Sequence, residues 1–382
     1  MSDYQKYSEC DLLRLAKRVN NTKRSYLLVN PLQGKHIPVD PEAALTMMRA
    51  LGKTVKENCE GKPLVIGFSE TATAIGAAVA AEIGGECFYT QTTREIDESV
   101  QRWIYFSEEH SHATEQKLCA DGLDWQISHS DYILLVDDEI STGKTILNIV
   151  SAIRNSCPSA EHKPFVVASV LNRVDKDHFA DFAKHGISFV FLLHLDTEDY
   201  EERVRGLEVQ EASFPPLSCS EENGCIIKQL RSPLPSVRQG VAIAQYLKAC
   251  HRIIDELLEE CVVQTKGKIL VLGTEEFMFP ALLLAQKIKE TGAAESVKHH
   301  ATTRSPIGIC HEQGYPITNG VKLHSFYDKD RYTYLYDLES YDTVIIFTDA
   351  KDSIPEAVKD LTRSLGKKQC RNVLLFYGSM HV

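Results

Sequence analysis

At 382 residues, the chain is long enough for two or three domains with full hydrophobic cores. Its 43% hydrophobic and 25% charged content fits an ordinary globular protein, and a net charge of −11 argues against a surface that wraps nucleic acid, though not against a local basic pocket. Met1-Ser-Asp-Tyr-Gln-Lys lacks a signal peptide's apolar core and no later run is long enough to span a membrane, so a cytoplasmic protein without a membrane partner is expected.

The first half alternates helix-like and strand-like segments. Asp40-Pro41 opens a helical stretch to about Asn58. Leu64–Phe68 reads as a short buried strand and Thr71–Ile83 as an Ala-rich helix. Glu86–Gln91, Arg102–Phe106, Tyr132–Val136, Phe165–Leu171 and Ile187–Leu193 are further apolar, strand-like runs. Such alternation predicts an α/β fold, a mostly parallel sheet flanked by helices, with ligands at the carboxyl ends of the strands. Residues 206–235, with Phe-Pro215-Pro216 and Ser-Pro233-Leu-Pro235, read as a linker between units at 1–205 and 236–382, with Cys225–Leu230 an extended segment inside it. Eleven scattered cysteines without a Cys-x-x-Cys pair read as reduced thiols, not a disulfide framework or a zinc site.

The segment Asp131-Tyr-Ile-Leu-Leu-Val-Asp137-Asp138-Glu139-Ile-Ser141-Thr142-Gly143-Lys144-Thr145 carries the most chemistry. An apolar strand ends in two carboxylates, followed by a small-residue loop and a helix from about Thr145 to Ile153. Carboxylates there can accept hydrogen bonds from vicinal hydroxyls, and the helix start can hold a phosphate dianion. A P-loop is the rival reading of Gly143-Lys144-Thr145. It needs glycine where Asp138 stands, and a carboxylate there would repel a triphosphate.

The second half repeats the first. Gly61-Lys-Pro-Leu-Val-Ile-Gly67 matches Gly267-Lys-Ile-Leu-Val-Leu-Gly273. Thr92-Thr93-Arg94 matches Thr302-Thr303-Arg304. Asp131 through Asp138 matches Asp342 through Asp349. Three matches in order, at nearly constant spacing, indicate duplication of one α/β unit. The copy has lost the acidic pair, which becomes Thr348-Asp349. Its loop is Asp352-Ser-Ile-Pro355-Glu356, where acidic residues replace hydroxyls and Pro355 removes a backbone donor.

The apolar run, acidic pair and Thr-Gly-x-Thr-like loop resemble the phosphoribosyl-pyrophosphate (PRPP) motif of type I phosphoribosyltransferases. Thr303-Arg304-Ser305-Pro306 resembles the signature of the TRSP domain, which follows such a domain in proteins associated with tellurite-resistance and stress gene clusters. The resemblance covers nearly the whole chain and implies two tandem phosphoribosyltransferase-like units, the second degenerate. It implies an enzyme that uses PRPP and Mg²⁺ to ribosylate a nitrogenous acceptor, or runs the reverse reaction, in a pathway to a nucleoside-like metabolite. A homodimer or internal pseudo-dimer would follow.

On that resemblance, Asp137 and Asp138 hold the ribose hydroxyls, and Ser141, Thr142, Gly143, Lys144 and Thr145 hold the 5′-phosphate. Ser69, Glu70, Thr71, Ala72 and Thr73 make the pyrophosphate loop, where an ordinary helix cap is the alternative. Arg94 reaches the pyrophosphate, or is a surface ion-pair residue. His110 and His112 sit near the tip of a flap within Glu95–Gln116, as hydrogen-bond donors to pyrophosphate, as acid–base groups, or as exposed residues without a role. A His-x-His zinc pair is disfavoured for want of a third ligand, so no protein metal site is expected. Gln33, Lys35, Asn172 and Arg173 are candidates for the acceptor pocket, with Asn30 and His36. A PRPP-binding sensor that does not turn over is a second reading. PRPP synthetase, which also pairs two such units, is a third, set aside because no ATP site is visible.

Overall fold

The computed structural model describes residues 7–21, 23–107, 116–196, 198–216, 225–261, 266–350, 355–368, 370 and 372–377. The first unit holds helix α1 (Pro41–Asn58), strand β1 (Pro63–Gly67), α2 (Thr73–Ile83), β2 (Phe88–Gln91), β3 (Tyr132–Ile140), α3 (Lys144–Ser156), β4 (Phe165–Asn172) and β5 (Ile187–His194). The second holds α4 (Ile243–Cys261), β6 (Lys268–Gly273), α5 (Phe279–Glu290), β7 (Ser296–Ala301), β8 (Thr343–Thr348), α6 (Pro355–Lys367) and β9 (Asn372–Tyr377).

The two sheets share one strand order. The first runs β2-β1-β3-β4-β5 and the second β7-β6-β8-β9, with the linker strand Cys225–Gln229 in the fifth place. All these pairings are parallel. Register matches as well: Gly67 pairs with Val136 and Gly273 with Phe347. Gly61 and Gly267 repeat for a physical reason. Both have positive φ, +97° and +80°, and a Cβ on either would lie 2.6 or 2.3 Å from the carboxylate of Asp131 or Asp342. Those carboxylates accept from the Lys62 and Lys268 amides at 2.7 and 2.9 Å, stitching the start of the first strand to the third in each unit.

The units interlock. Val39 and His299 exchange backbone hydrogen bonds of 2.9 and 2.8 Å, so the segment before α1 lies along β7 of the second unit. Reciprocally, Val241–Ala242, just before α4, pairs antiparallel with Tyr89 and Phe88 of β2. Helices α2 and α5, equivalent in the repeat, touch each other, and each touches the other unit's long helix. This is the isologous pattern of a two-fold dimer within one chain. Helix α2 is buried on nearly every side, from Thr73 through Ala80, which its run of alanines permits. The 206–235 segment is therefore more than a tether, since its strand completes the second sheet.

Two hairpins rise from the first unit. A hood pairs Arg14–Lys17 with Tyr26–Val29, and a flap pairs Trp103–Phe106 with Gln116–Cys119. The second unit's counterpart of the flap pairs Gly320–His324 with Tyr332–Tyr336. Among the described residues, no helix is long and apolar enough to cross a membrane.

Candidate active site

Strand β3 is fully buried from Tyr132 to Val136 and half-buried from Asp137 to Glu139. Apolar residues hold it between β1 and β4, and the carboxylates begin where it leaves the core. The acidic pair thus stands at the carboxyl edge of the sheet, and the strand continues past it to Ile140. A turn through Gly143 (φ +78°) leads into α3. A Cβ on Gly143 would lie 2.5 Å from Phe182, so glycine is required both by conformation and by space. Helix α3 then buries Ile146, Ile149, Val150 and Ile153 in one stripe.

Over this edge lies a cavity of about 390 Å³. Asp137, Asp138, Ser141 and Thr145 form one wall, Ser69, Glu70 and Thr71 a second, and Arg94 with Gln116 a third. The hood contributes Arg18 through Asn21 and Arg24. The second unit contributes Arg304, Ser305 and Pro306. The hood is tied to that turn: Val19 N–H donates to the Pro306 carbonyl at 2.9 Å, and Gly308 N–H to the Lys17 carbonyl at 2.8 Å.

The loop after β1 is held from several sides. Ser69 N–H donates to Thr92 Oγ1 at 2.8 Å, and Gln116 Nε2 donates to the Ser69 carbonyl at 2.7 Å. The root of the flap is thus locked to the loop. Thr71 Oγ1 donates to Asp138 Oδ1 at 2.7 Å, joining the loop to the acidic pair. Burial raises the Asp138 pKa above the usual carboxylate range, with hydrogen bonds from Asp137 and Thr71 opposing and Glu139 adding. Glu70 goes the other way. Burial would raise it, but Lys35 and Arg304 hold it down at about 2.

Several expected site residues stand elsewhere. Ala72 and Thr73 are buried under the start of α2, where Ala72 is the cap residue without a side-chain bond. Thr142 and Lys144 are exposed, and with Gly143 they are not among the cavity-lining residues. None of the six acceptor-pocket candidates, Asn30 and His36 included, lines the cavity. Gln33 is fully buried and donates to the Thr71 carbonyl at 2.6 Å. Lys35 is fully buried against Glu70 at 2.7 Å. Asn172 is buried, its Oδ1 accepting from Val174 N–H at 3.0 Å. Arg173 donates to Tyr26 Oη at 2.6 Å and to Glu139 at 3.2 Å. For Gln33, Lys35 and Arg173 the physical reason is shared: the hood and the segment after it fold back on the loop after β1, the end of β4 and the second unit, and these side chains fasten them there. Asn172 instead closes a turn within its own loop. Glu139, next to the acidic pair, does line the cavity, and its carboxylate is held by Arg24 at 2.6 Å. His110 and His112 lie outside the described residues.

Sequence reasoning missed Arg18 through Asn21, Arg24, Gln116 and the cavity position of Ser305-Pro306. The repeat did contain a signal for the last of these. Thr302-Thr303-Arg304 matches Thr92-Thr93-Arg94, and a two-fold pairing of the units brings both turns to the shared face.

The matching place in the second unit is filled. Asp349, equivalent to Asp138, accepts from Arg238 Nη1 at 2.8 Å and from the Tyr327 hydroxyl. Thr274 and Thr348 hydroxyls pair at 2.7 Å. The void touching Asp349 and Glu276 measures about 10 Å³, room for one water at most.

Residues 12–192 match the family model described as phosphoribosyl transferase, and residues 236–365 match that of the TRSP domain C-terminal to it. This chain is a phosphoribosyltransferase-family domain followed by a TRSP domain. Similar solved structures include an APRTase from Giardia lamblia complexed with 9-deazaadenine, at 16% identity over 48% of this chain and 94% of that one, TM-score 0.32. Another is the adenine phosphoribosyl transferase from Trypanosoma brucei in complex with AMP, pyrophosphate and ribose-5-phosphate, at 15% identity over 48% and 87%, TM-score 0.30. No curated protein matches the chain.

Proposed function

We propose that the phosphoribosyltransferase domain transfers a phosphoribosyl group from PRPP to a nitrogenous acceptor with release of pyrophosphate, or runs the reverse. One observation carries this reading: the acidic pair, Ser141 and Thr145 at the two ends of the turn, and the Ser69–Thr71 loop face a single cavity of about 390 Å³. Asp137 and Asp138 would accept from the ribose 2′ and 3′ hydroxyls. Ser141, Thr145 and the amides that open α3 would hold the 5′-phosphate. The loop amides after β1 and Arg94 would receive the pyrophosphate as the C1–O bond breaks and the acceptor nitrogen bonds to C1.

Among the described residues, no group of three His, Cys, Asp or Glu is arranged to hold a metal ion. Mg²⁺ carried in on diphosphate oxygens would be met by the hard carboxylate oxygens of Asp137 and Asp138, which line the cavity. When bound, the ion would offset the charge gathering on the leaving group.

The test is PRPP binding by calorimetry with Mg²⁺, then a metabolite-extract screen for new ribosylated masses. Asp137→Asn/Asp138→Asn is expected to lose binding by about a hundredfold or more, the scale of two hydrogen bonds to charged acceptors. A folded double variant that binds PRPP as tightly as the unaltered protein would falsify the reading. Tight binding with no turnover on any acceptor would leave a sensor in its place.

A further inference from the structure

Two turns meet where the units face each other, and the repeat relates them. Glu70 and Glu276 each lie in the loop between the first strand and the following helix of their unit. Each accepts from the opposite unit's backbone: Arg304 N–H donates to Glu70 Oε1 at 3.1 Å, and Arg94 N–H donates to Glu276 Oε1 at 3.0 Å. Each also has a buried cation from the segment before its unit's long helix. Lys35 is 2.7 Å from Glu70, and Arg238 is 3.1 Å from Glu276. The clamp is reciprocal, but of the two carboxylates it is Glu70 and not Glu276 that lines the large cavity.

That placement raises a difficulty. Glu70 puts a carboxylate into the loop proposed to receive a diphosphate, where bare charge would repel the ligand. Two cations remove it. Lys35 lies against Oε1, and Arg304 Nε lies 3.3 Å from Oε2. Arg304 is itself pinned, donating to Glu275 Oε2 at 2.6 Å and pairing with Glu95. Arg331 braces the same two carboxylates, at 3.0 Å from Glu275 and 2.8 Å from Glu95. A guanidinium held by so many carboxylates is fixed in place, and Glu70 is the one of them that lines the cavity. Its effect on the cavity runs through Glu70.

We propose that Arg304 of the TRSP domain is a positioning residue of the phosphoribosyltransferase site: it neutralises Glu70 and fixes its carboxylate, so that the Ser69–Thr71 loop accepts the diphosphate of the sugar substrate. The inference rests on the phosphoribosyl-transfer reading. It gives the degenerate unit a task, since its signature arginine makes the other unit's anion loop usable.

The experiment titrates full-length protein with PRPP and, separately, with ribose 5-phosphate, which lacks the diphosphate, both with Mg²⁺. Arg304→Gln is expected to weaken PRPP about tenfold or more, in line with a lost charge-assisted hydrogen bond, while ribose 5-phosphate affinity stays unchanged. Glu70→Gln should bind PRPP at least as tightly as the unaltered chain. Arg304→Gln/Glu70→Gln should recover most of the loss. Equal weakening of both ligands by Arg304→Gln, or a double variant as weak as the single, overturns the proposal. If Arg304→Gln does not fold, Glu70→Gln decides: retained or tighter PRPP binding supports it and loss overturns it. Unaltered protein that binds neither ligand refutes the phosphoribosyl-transfer reading itself, a separate failure.

Discussion

Replacing Glu139 with alanine tests whether the hood is fastened to the sheet by charge. The Glu139 side chain is 10% exposed and takes both Arg24 Nη2 contacts, at 2.8 and 2.6 Å, and Arg173 Nη1 at 3.2 Å. Arg24 also lies 4.4 Å over the Tyr26 ring. Glu139→Ala leaves two guanidinium groups in a confined space without their carboxylate. Breaking a buried pair in this way costs about 3–5 kcal/mol. With an unfolding entropy of about 2.1 cal/mol/K per residue, 4 kcal/mol lowers Tm by about 5 °C if all 382 residues melt together. It lowers Tm by about 10 °C if the first unit melts alone. Differential scanning calorimetry therefore gives both the size of the effect and the cooperative unit. Glu139→Met/Arg24→Met should recover part of the loss, because an apolar pair leaves fewer orphaned charges. A shift below about 1 °C for Glu139→Ala would show that water solvates this triad freely, and the fastening argument would be wrong.

Gly143→Ala should cost about 2–4 kcal/mol, combining a left-handed backbone with the clash against Phe182. It should also weaken PRPP by disturbing the Ser141–Thr145 turn; an unchanged melt and affinity would contradict the steric account. Acid should destabilise the chain well before ordinary carboxylates titrate. Burial, with smaller repulsion from neighbouring cations, lowers the pKa values of His36, His299 and His300 to about 3, 3 and 4. The unfolded chain therefore binds more protons below about pH 6.5, and stability falls with falling pH. Glu95 runs the other way. Burial, reinforced by Glu276 and Glu275 against the pull of Arg304 and Arg331, pushes it up to about 7. It is stabilised by protonation between about 7 and 4.5, and offsets one histidine. The net slope is about 3 kcal/mol per pH unit between roughly pH 6 and 4.5, readable as denaturant midpoints at three pH values. Glu95→Gln should steepen it, and a flat profile would mean the histidines are charged in the fold. Glu70, held at about 2, gives up its contribution only as pH falls below about 4.5.

Local chemistry written in the sequence settled much of this molecule. Alternating apolar runs set the strands, the alanines of α2 marked a helix, and the acidic pair after Val136 stood at the sheet's carboxyl edge. The Gly61 and Gly267 matches showed the duplication, because only glycine fits against the carboxylates of Asp131 and Asp342. What periodicity could not carry was contact between distant segments. Gln33, Lys35 and Arg173 have the chemistry of ligand-binding residues, yet the tertiary structure uses them as fastenings of the hood. Arg304 and Pro306 belong by sequence to the second unit and by position to the first unit's cavity. Polar side chains take their role from whatever the fold sets opposite them, and here two copies closing face to face made that choice.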